Sequence, residues 1–510
     1  MSARADEPGG AGAADVGHHG HVKRHPDGLS PVVAVDRRLT TPLYRQLYNG
    51  YRDAILLGRL KPGQRLPSTR AVAQELRISR IAAVQAFAQL LAEGYLVSRR
   101  GAGSFVSDNL PDAPRPRVKE HRVAAVQPGP RNLPKSRLVE ADAPWHAVQG
   151  PFHCHQPAVE EFPVELWGRL VAKHARRMSP RQMTYGDDMG LPSLREALAD
   201  YLGTVRSVAC TADQIIVVAG SQQALTIAAN AMLAPGDEVW LEEPGYGGAR
   251  DAFALAGAKI APVPVDGDGL DVAAGSRIAP NARAVYVTPS HQYPLGVIMN
   301  AARRLRLLEW ARHRGAWLLE DDYDSEYRYN GQPLASLYDL DGDARVLYVG
   351  TFSKVLFPAL RVGYLVVPRD LVRRIRRFRK AVDVFPSTLH QAVLADFIEE
   401  GHFARHVRRM RVIYSERRRV LEAALNRELP SLRIVGEQAG MHLVLMLPAG
   451  ARDRDLATRA ARDGISVVPL SSCYSGRPKE SGLVLGYGST RSSAIPNAVR
   501  KLSAILAEQT

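Results

Sequence analysis

The sequence predicts a multidomain protein in which an all-α, winged helix-turn-helix domain precedes a larger α/β domain with a mainly parallel sheet. The first domain is indicated by residues 38–108, where three short helical patterns precede a basic hairpin. The second is indicated by residues 151–510, where apolar runs typical of buried strands alternate with helical patterns. A chain of 510 residues is too long for one core, and its 45% hydrophobic content allows a large one.

Residues 1–37 are rich in Gly, Ala, His and Asp without a helical or strand period, so we expect a disordered tail. No apolar signal core lies near the N-terminus, and no uninterrupted apolar run reaches membrane length. We therefore expect a soluble, cytoplasmic protein without a membrane partner.

The three cysteines, Cys154, Cys210 and Cys473, are far apart and odd in number, which predicts no disulfide framework and fits a reducing cytosol. Cys154 stands between His153 and His155, but no further ligands follow at metal spacing, so we predict no metal site. The net charge of +15 favours an acidic partner, with nucleic acid first.

The first helical pattern runs from Pro42 to Leu56, with apolar residues at positions 43, 47, 51 and 55. Gly58 ends it, and a second helix is predicted from Arg70 to Leu76 after the hydroxyl-bearing start at Ser68. A third helix is predicted over residues 80–93.

The third helix is expected to begin after the capping residue Ser79, to carry Val84, Phe87 and Leu91 on one face, and to end at Gly94. Two short strands follow, at residues 95–100 and 104–107, joined by a glycine-rich turn. Residues 37–108 hold 12 Lys and Arg against 4 Asp and Glu. This charge favours a DNA-binding winged helix over a purely structural three-helix bundle.

The segment resembles the GntR-type DNA-binding domain in two stretches, Leu60–Arg70 and Gly94–Val106. The resemblance implies that double-stranded DNA is contacted by residues of the helix-turn-helix and the wing: Ser68, Arg70, Ser79, Arg80, Arg99, Arg100 and Gly103. Ile81-Ala82-Ala83 departs from the polar residues common after the Ser-Arg pair, so the operator sequence is not inferable.

Residues 109–150 are rich in Pro, Arg and Val without a hydrophobic period, which indicates a linker. Residues 109–149 carry 7 Lys and Arg against 4 Asp and Glu, so this segment is a further candidate for phosphate contact. A connection of this length indicates domains that can move or swap.

The larger domain is organised around Gly350–Gly363, which follows the apolar run Val346–Val349. Thr351 and Ser353 bring hydroxyls beside Lys354. A lysine held in a pocket can lose its proton and form a Schiff base with an aldehyde. Small hydroxyls and an arginine, here Arg361, are what a phosphate on that aldehyde requires.

Two further strand ends carry matching chemistry. The run Leu318–Tyr323 ends with Asp321, which can pair with a protonated pyridine nitrogen, and Tyr323 lies two residues further on the same strand face. The segment Ile215–Leu225 reads as a strand, a glycine turn and a helix start whose free N–H groups suit a phosphate. Together these segments predict a site for pyridoxal 5'-phosphate (PLP).

From residue 151 to the end, the chain resembles a fold-type I, aminotransferase-like PLP domain. The resemblance implies that Lys354 forms the Schiff base, Asp321 holds the pyridine nitrogen and Tyr323 the ring hydroxyl. It also implies a set of phosphate, ring and partner-subunit contacts: Gly220, Ser221, Gln222, Thr351, Ser353 and Arg361 at the phosphate, Tyr246 on the ring face, Tyr293 where aminotransferases usually have asparagine, and Tyr185 across a dimer interface.

Residues 38–510 together resemble the MocR-like subgroup of GntR regulators. The resemblance implies a homodimeric, PLP-dependent transcriptional regulator that senses PLP or an adduct of PLP with an amine or amino acid. An amine displacing Lys354 from the Schiff base is expected to shift the domains and reorient the winged helices. Two alternatives stay open: a PLP-dependent aminotransferase with a DNA-binding appendage, and a structural dimeriser with an empty pocket.

The effector class is also open. Aminotransferases grip a substrate carboxylate with an arginine near the segment 482–487, but Leu483 and Val484 are apolar and the nearest arginine is Arg491. Either Arg491 substitutes, or the ligand lacks an α-carboxylate, or no amino acid binds.

Overall fold

A computed structural model describes residues 33–99, 101–110, 143–329, 335–341, 345–436 and 438–508. The chain forms two compact units that divide between residues 134 and 135. Val33 is buried in the first unit, and a Cβ on Gly50 would lie 2.3 Å from it, so the described unit begins before the predicted boundary at residue 38. Most of the predicted tail and linker lies outside the described residues.

The first unit contains three helices followed by a hairpin. They are α1 (Leu43–Leu56), α2 (Thr69–Glu75), α3 (Arg80–Ala92), β1 (Leu96–Arg99) and β2 (Gly103–Val106). The two strands are antiparallel, with Leu96 opposite Val106. Helices α2 and α3 begin where the serine pattern predicts, because Ser68 and Ser79 each accept a hydrogen bond from a backbone N–H three residues on.

The buried face of α3 differs from the predicted one. Phe87 is buried as expected, but Val84 is 45% exposed and Leu91 is only half-buried. The residues that face the core are Ala83, Ala86, Phe87 and Leu90. The prediction of Val84 on the core face was therefore wrong, because small alanines rather than the larger β-branched residue set the face that packs near α1.

The second unit contains these described helices: α4 (Pro144–Ala147), α5 (Val164–Arg176), α6 (Pro192–Arg206), α7 (Ser221–Met232), α8 (Gly247–Leu255), α9 (Val272–Ile278), α10 (Ala301–Arg314), α11 (Leu337–Leu340), α12 (Val372–Asp383), α13 (Leu389–Glu399), α14 (His402–Glu428), α15 (Asp453–Arg462) and α16 (Ile495–Ala507). Trp145 in α4 is buried in the core of this unit, so its described structure begins before residue 151.

The described strands of the second unit are β3 (Ile215–Val218), β4 (Glu238–Glu243), β5 (Lys259–Asp266), β6 (Gly269–Leu270), β7 (Ala284–Val287), β8 (Trp317–Asp322), β9 (Val346–Thr351), β10 (Gly363–Val366), β11 (Ile434–Val435), β12 (His442–Met446), β13 (Val468–Pro469) and β14 (Gly482–Gly486).

Among the described residues, the larger sheet has the order β3-β10-β9-β8-β7-β4-β5-β6. The central strands from β9 through β5 are parallel, whereas β10 is antiparallel to both its neighbours and β6 is antiparallel to β5. In β3, Ile215 and Val217 pack into one apolar cluster and Ile216 and Val218 into another, so both faces of the sheet are buried there.

This topology places the carboxyl ends of β7, β8 and β9 at one edge of the sheet, where the polar residues of the predicted site lie. A second sheet, in the order β11-β12-β14-β13 among the described residues, is antiparallel throughout. Its strands share an apolar core with α15 and α16. No helix within the described residues is long and apolar enough to cross a bilayer.

Candidate functional site

A cavity of about 190 Å³ lies at the carboxyl edge of the larger sheet, next to the start of α7. The residues that line it come from strand ends and from the loops that follow them: His155, Gly220, Ser221, Gln222, Tyr246, Tyr286, Thr288, Tyr293, Asp321, Tyr323, Thr351, Ser353, Lys354, Pro358 and Arg361. The fold therefore brings together residues that are up to about two hundred positions apart in the chain, from His155 to Arg361.

Lys354 lies in this cavity just beyond the end of β9. Its Nζ donates a hydrogen bond to the carbonyl oxygen of His155 at 3.1 Å. Burial lowers the pKa of the Lys354 ammonium from its usual 10.5 to about 8, although Asp324 and Asp321 oppose the shift. A substantial fraction of this amine is therefore neutral and nucleophilic at mildly alkaline pH.

Asp321 is 3% exposed near the end of β8. Its Oδ2 accepts a hydrogen bond of 2.9 Å from the Tyr286 hydroxyl, whereas its Oδ1 is buried without a partner. Burial raises the pKa of the Asp321 carboxyl to about 7, against the lowering effects of Tyr286 and Lys354. A cationic N–H donor at Oδ1 would satisfy the orphaned oxygen and restore the carboxylate.

A hydrogen-bonded pair of residues supports Tyr323. The Tyr323 hydroxyl lies 3.1 Å from Nδ1 of His291, and the same nitrogen lies 3.1 Å from the carboxylate of Asp324. His291 and Asp324 are each 1% exposed. When Nδ1 carries the proton, its N–H is shared between the Asp324 carboxylate and the Tyr323 oxygen, which leaves the tyrosine proton available for donation.

The opposite end of the cavity suits an anion. The 12-residue helix α7 starts at Ser221, and no side chain caps its N-terminus. Gly220 has φ +130°, and a Cβ there would lie 3.5 Å from Nη1 of Arg361, so the glycine keeps the space between them open. Thr351 adds a hydroxyl, whose oxygen accepts a hydrogen bond of 3.2 Å from the Ser353 N–H.

These residues fit PLP. An orphaned buried carboxylate oxygen matches a pyridinium N–H, an uncapped helix N-terminus with Arg361 matches a phosphate, and a lysine of lowered pKa lies in the same cavity. Every cofactor residue predicted from the sequence except Tyr185 therefore lines this one cavity.

Two predicted residues are not among those lining the cavity. Tyr185 is 85% exposed, and its ring makes an edge contact with Phe385 at 5.9 Å between centroids. Arg491 is exposed as well.

The sequence reasoning missed His155, Tyr286, Thr288 and Pro358, which also line the cavity. Tyr286 could have been predicted from the sequence. It lies in the apolar run of β7, the strand before β8 in the chain, and the carboxyl ends of both strands lie at the same edge of the sheet. No sequence signal pointed to His155, which reaches Lys354 through a backbone carbonyl.

A wider cleft of about 780 Å³ shares His155, Tyr246 and Tyr293 with the cavity. Arg250 lines it and donates from Nη1 to the carbonyl oxygen of Tyr474 at 3.0 Å. The cleft therefore offers a route by which a small molecule reaches the neighbourhood of Lys354.

The first unit exposes the predicted DNA contacts, except Arg100, which lies outside the described residues. The side-chain oxygens of Ser68 and Ser79 accept hydrogen bonds of 3.2 Å from the N–H groups of Ala71 and Ala82. Each serine hydroxyl keeps its proton for donation to a phosphate. Arg70, Arg80, Arg99 and Gly103 are exposed on the same unit.

Cys154 is buried and hydrogen-bonded to the carbonyl oxygen of Val484 at 3.3 Å. In the described part of the chain, the one group of side chains close enough to share a metal ion is His291, Asp324 and His442. Nδ1 of His291 is within hydrogen-bond distance of Asp324, and Nε2 of His442 is 3.0 Å from the carbonyl oxygen of Pro294, whereas Nε2 of His291 is buried without a partner among the described residues.

Comparison with protein families gives two matches. Residues 43–106 match the family described as bacterial regulatory proteins, gntR family, and residues 161–489 match aminotransferase class I and II. The two matched segments correspond to the two units of the structure.

Several curated proteins resemble nearly the whole chain. The probable rhizopine catabolism regulatory protein MocR of Rhizobium meliloti is 40% identical over 93% of this chain and 96% of its own. The pyridoxine biosynthesis transcriptional regulator PdxR of Corynebacterium glutamicum is 31% identical over 90% of this chain and 94% of its own.

Solved structures match the second unit. The α-aminoadipate aminotransferase LysN from Thermus thermophilus, complexed with N-(5'-phosphopyridoxyl)-L-leucine, is 30% identical with a TM-score of 0.66, covering 70% of this chain and 92% of that one. An archaeal alanine:glyoxylate aminotransferase is 27% identical with a TM-score of 0.67, covering 71% of this chain and 91% of that one.

Proposed function

This chain belongs to the MocR-like group of gntR-family transcriptional regulators, and on that premise we propose that its second unit binds PLP and an amine effector to control DNA binding by the first. One observation carries the proposal. A single cavity holds a lysine of lowered pKa, a buried carboxylate with an orphaned oxygen, and an uncapped helix N-terminus.

Each side chain has a role in this proposal. Lys354 is the point of covalent attachment, Asp321 binds the ring nitrogen, and Tyr323 donates to the ring hydroxyl. Tyr246 covers the ring face, and the phosphate is bound by the backbone and side chains at the start of α7 and after β9: Gly220, Ser221, Gln222, Thr351, Ser353 and Arg361. When bound, PLP supplies an aldehyde carbon that amines attack and a ring that withdraws electrons.

Regulation follows from the position of Lys354. With PLP bound, an amine that enters through the wider cleft would compete with Lys354 for the aldehyde carbon, and Nζ of Lys354 would then be free. The released amine remains buried next to Asp321 and Asp324, so its protonation and hydrogen bonding change. Because coupling between two sites is reciprocal, DNA bound to the first unit alters effector affinity by the same factor.

A homodimer is part of this proposal. Four apolar side chains are exposed in the two segments that meet at Tyr185 and Phe385: Met183 at 68%, Tyr185 at 85%, Val382 at 52% and Val384 at 45%. The contact between Tyr185 and Phe385 joins the two loops that carry them. A second copy of the chain would cover this patch, and Tyr185 would then approach the phosphate end of the partner's cavity.

A second candidate function is amino-group transfer. It is favoured by the complete set of Lys354, Asp321 and Tyr323, and by 31% identity over 69% of this chain to a 2-aminoadipate transaminase of Thermus thermophilus. Against it, β14 presents no arginine and Arg361 is the sole arginine among the described residues that line the smaller cavity, although Arg250 and Arg454 line the wider cleft. Steady conversion of an amino-acid and keto-acid pair would establish this function.

The deciding experiment is fluorescence anisotropy of the full chain with labelled DNA from upstream of its own gene, with and without PLP, at two salt concentrations. We expect specific binding that changes with PLP in the wild type and in the control Lys259→Ala, which alters an exposed lysine. In Lys354→Ala the PLP response should vanish. A PLP response that survives in Lys354→Ala would contradict the role assigned to this lysine. Weak, strongly salt-dependent binding to any DNA would contradict regulation at that site.

A further inference from the structure

The positive charge of the second unit is concentrated in one short segment. Residues 150–510 contain 45 Lys and Arg against 39 Asp and Glu, a net charge of +6. Residues 369–383, which comprise α12 and the turn before it, contain seven of these basic residues and two acidic ones, a net charge of +5. These fifteen residues therefore account for nearly all of the excess of basic over acidic residues in the second unit.

Helix α12 is anchored on one side and cationic on the other. Leu371 and Ile375 are buried in an apolar cluster, and Phe378 packs against it. Five exposed basic residues of this segment, all except the paired Arg376, form a set that we call the cationic strip: Arg369, Arg373, Arg374, Arg377 and Lys380. No acidic side chain of the described residues forms an ion pair with any of these five.

The acidic residues nearby are engaged elsewhere or stand alone. Asp188 binds Nε of Arg376 at 2.5 Å, and Asp383 pairs with the buried Arg379. Asp370 is exposed beside Arg369 and is the one acidic residue within the strip. The five basic residues of the strip and Asp370 together carry a net charge of +4.

The arginine-rich helix α14 of the same unit provides a contrast. Four of its eight arginines pair with carboxylates of the described residues, including Arg417 with Glu160 at 2.9 Å and Arg418 with Glu422 at 3.4 Å. A face that merely keeps a helix in water normally mixes charges of both signs. The single sign of the α12 strip indicates a polyanionic partner instead.

We propose that the cationic strip of α12 binds the phosphate backbone of duplex DNA, as a contact surface separate from the winged helix-turn-helix. Arg373, Arg377 and Lys380 follow the i, i+4, i+7 spacing of one helix face and span about 10 Å along the axis. Over that distance a duplex presents about six phosphates. The spacing and the flexible side chains match sequence-independent backbone contacts.

The test uses the full chain with PLP and a labelled 60-base-pair duplex of random sequence, because phosphate contacts need no operator. Binding is titrated by anisotropy between about 50 and 300 mM KCl. In the variant Arg373→Gln/Arg374→Gln/Arg377→Gln, we expect the slope of log affinity against log salt to fall by about 2 to 3, and the affinity at 0.1 M salt to fall by at least about tenfold.

The matched control is Arg277→Gln/Arg306→Gln/Lys501→Gln, which removes three exposed, scattered cations from the same unit. For this control, the slope of log affinity against log salt should change by less than about 1, because salt screens charges that lie away from the bound DNA. Equal slopes in the two triple variants would overturn the proposal. The single changes Arg373→Gln and Arg377→Gln, each expected to lower the slope by about 0.9, provide the same test if the triple variant is unstable.

Two further titrations separate DNA from other polyanions. Vesicles of phosphatidylserine and a polyglutamate peptide are offered to the wild type and to the α12 triple variant. We expect neither to compete with the duplex at equal charge concentration. Loss of vesicle or peptide binding in the variant, with unchanged DNA binding, would assign the strip to that partner and refute the DNA contact.

Discussion

At the scale of single residues, burial sets the chemistry of the cavity. Lys354 and Asp321 are both withdrawn from water, and each is pushed towards its neutral form: the pKa of the lysine falls to about 8 and that of the aspartic acid rises to about 7. The lysine is thereby prepared to attack a carbonyl. The aspartic acid is prepared to bind a cationic nitrogen, which would restore its charge.

The lowered pKa of Lys354 predicts how carbonyl attachment depends on pH. The neutral amine is the reactive form, so the fraction available rises from about one tenth at pH 7 to about nine tenths at pH 9 for a pKa of about 8. We expect the initial rate of PLP attachment, followed by absorbance in a stopped-flow instrument, to rise about tenfold over that range.

The control for this prediction is Lys354→Ala, which should lack the time-dependent absorbance change of attachment at every pH, while Lys259→Ala should behave as the wild type. A rate that stays flat up to pH 9 and rises only near pH 10.5 would show that the lysine is not desolvated as the structure has it.

At the scale of elements, two paired strands approach most closely at a glycine, where a larger residue would displace a neighbouring ring. Gly350 in β9 pairs with Tyr364 in β10, and a Cβ on Gly350 would lie 2.2 Å from the Tyr364 ring. The close approach fixes the end of β9, from which Thr351 and Lys354 reach the cavity.

We predict that Gly350→Ala destabilises the second unit by about 1 to 3 kcal/mol through overpacking. The matched control is Gly168→Ala in α5, where a Cβ meets nothing within 4 Å. That change should stabilise by about 0.5 to 1 kcal/mol, because alanine favours the helix. Thermal unfolding should show shifts of opposite sign, and a Gly350→Ala protein with unchanged Tm would disprove the steric argument.

The exposed part of α3 carries two large apolar residues where a recognition helix usually carries polar groups. Ile81 is 70% exposed and Val84 45%, next to the exposed Arg80. In a major groove, apolar side chains distinguish thymine by its 5-methyl group. Ile81 and Val84 are therefore suited to contact thymine methyl groups, beside the hydrogen-bonding side chains of Arg80 and Gln85.

We predict that Ile81 contacts a thymine methyl. Duplexes are selected from a random library with the wild type, and each thymine is replaced in turn by deoxyuridine. At one position the affinity should fall about fourfold, the value of one buried methyl group. In Ile81→Ala that sensitivity should disappear, whereas Leu57→Ala, an exposed residue after α1, should retain it. Equal sensitivity in Ile81→Ala would rule out the contact.

At the scale of the whole molecule, the exposed apolar patch around Tyr185 predicts an oligomer. We expect sedimentation velocity to show a dimer for the wild type. The variant Met183→Arg/Val382→Arg should shift the distribution towards monomer at the same concentration, because it places two charges on the patch.

Leu305→Arg serves as the comparison, since Leu305 is 56% exposed on α10 and lies outside the patch. It should remain dimeric. A monomeric wild type, or a patch variant that dimerises as the wild type does, would contradict the assignment of this surface.

The sequence by itself determined the two-part organisation, the mainly parallel sheet and the residue types at the strand ends. Lys354, Asp321 and Tyr323 were predictable because each follows a buried apolar run, and the ends of parallel strands meet at one edge. Ser68 and Ser79 were predictable for a similar reason, since capping is a local interaction between residues three apart.

Only the tertiary structure decided the contacts between distant segments. Tyr286 binds Asp321 because β7 and β8 are neighbours, and His155 meets Lys354 across 199 positions of the chain. Packing likewise decided which face of α3 is buried, because Ala83 faces the core whereas Val84 is exposed. A local pattern records which residues are apolar, whereas burial and its effects on pKa depend on neighbours brought in by the fold.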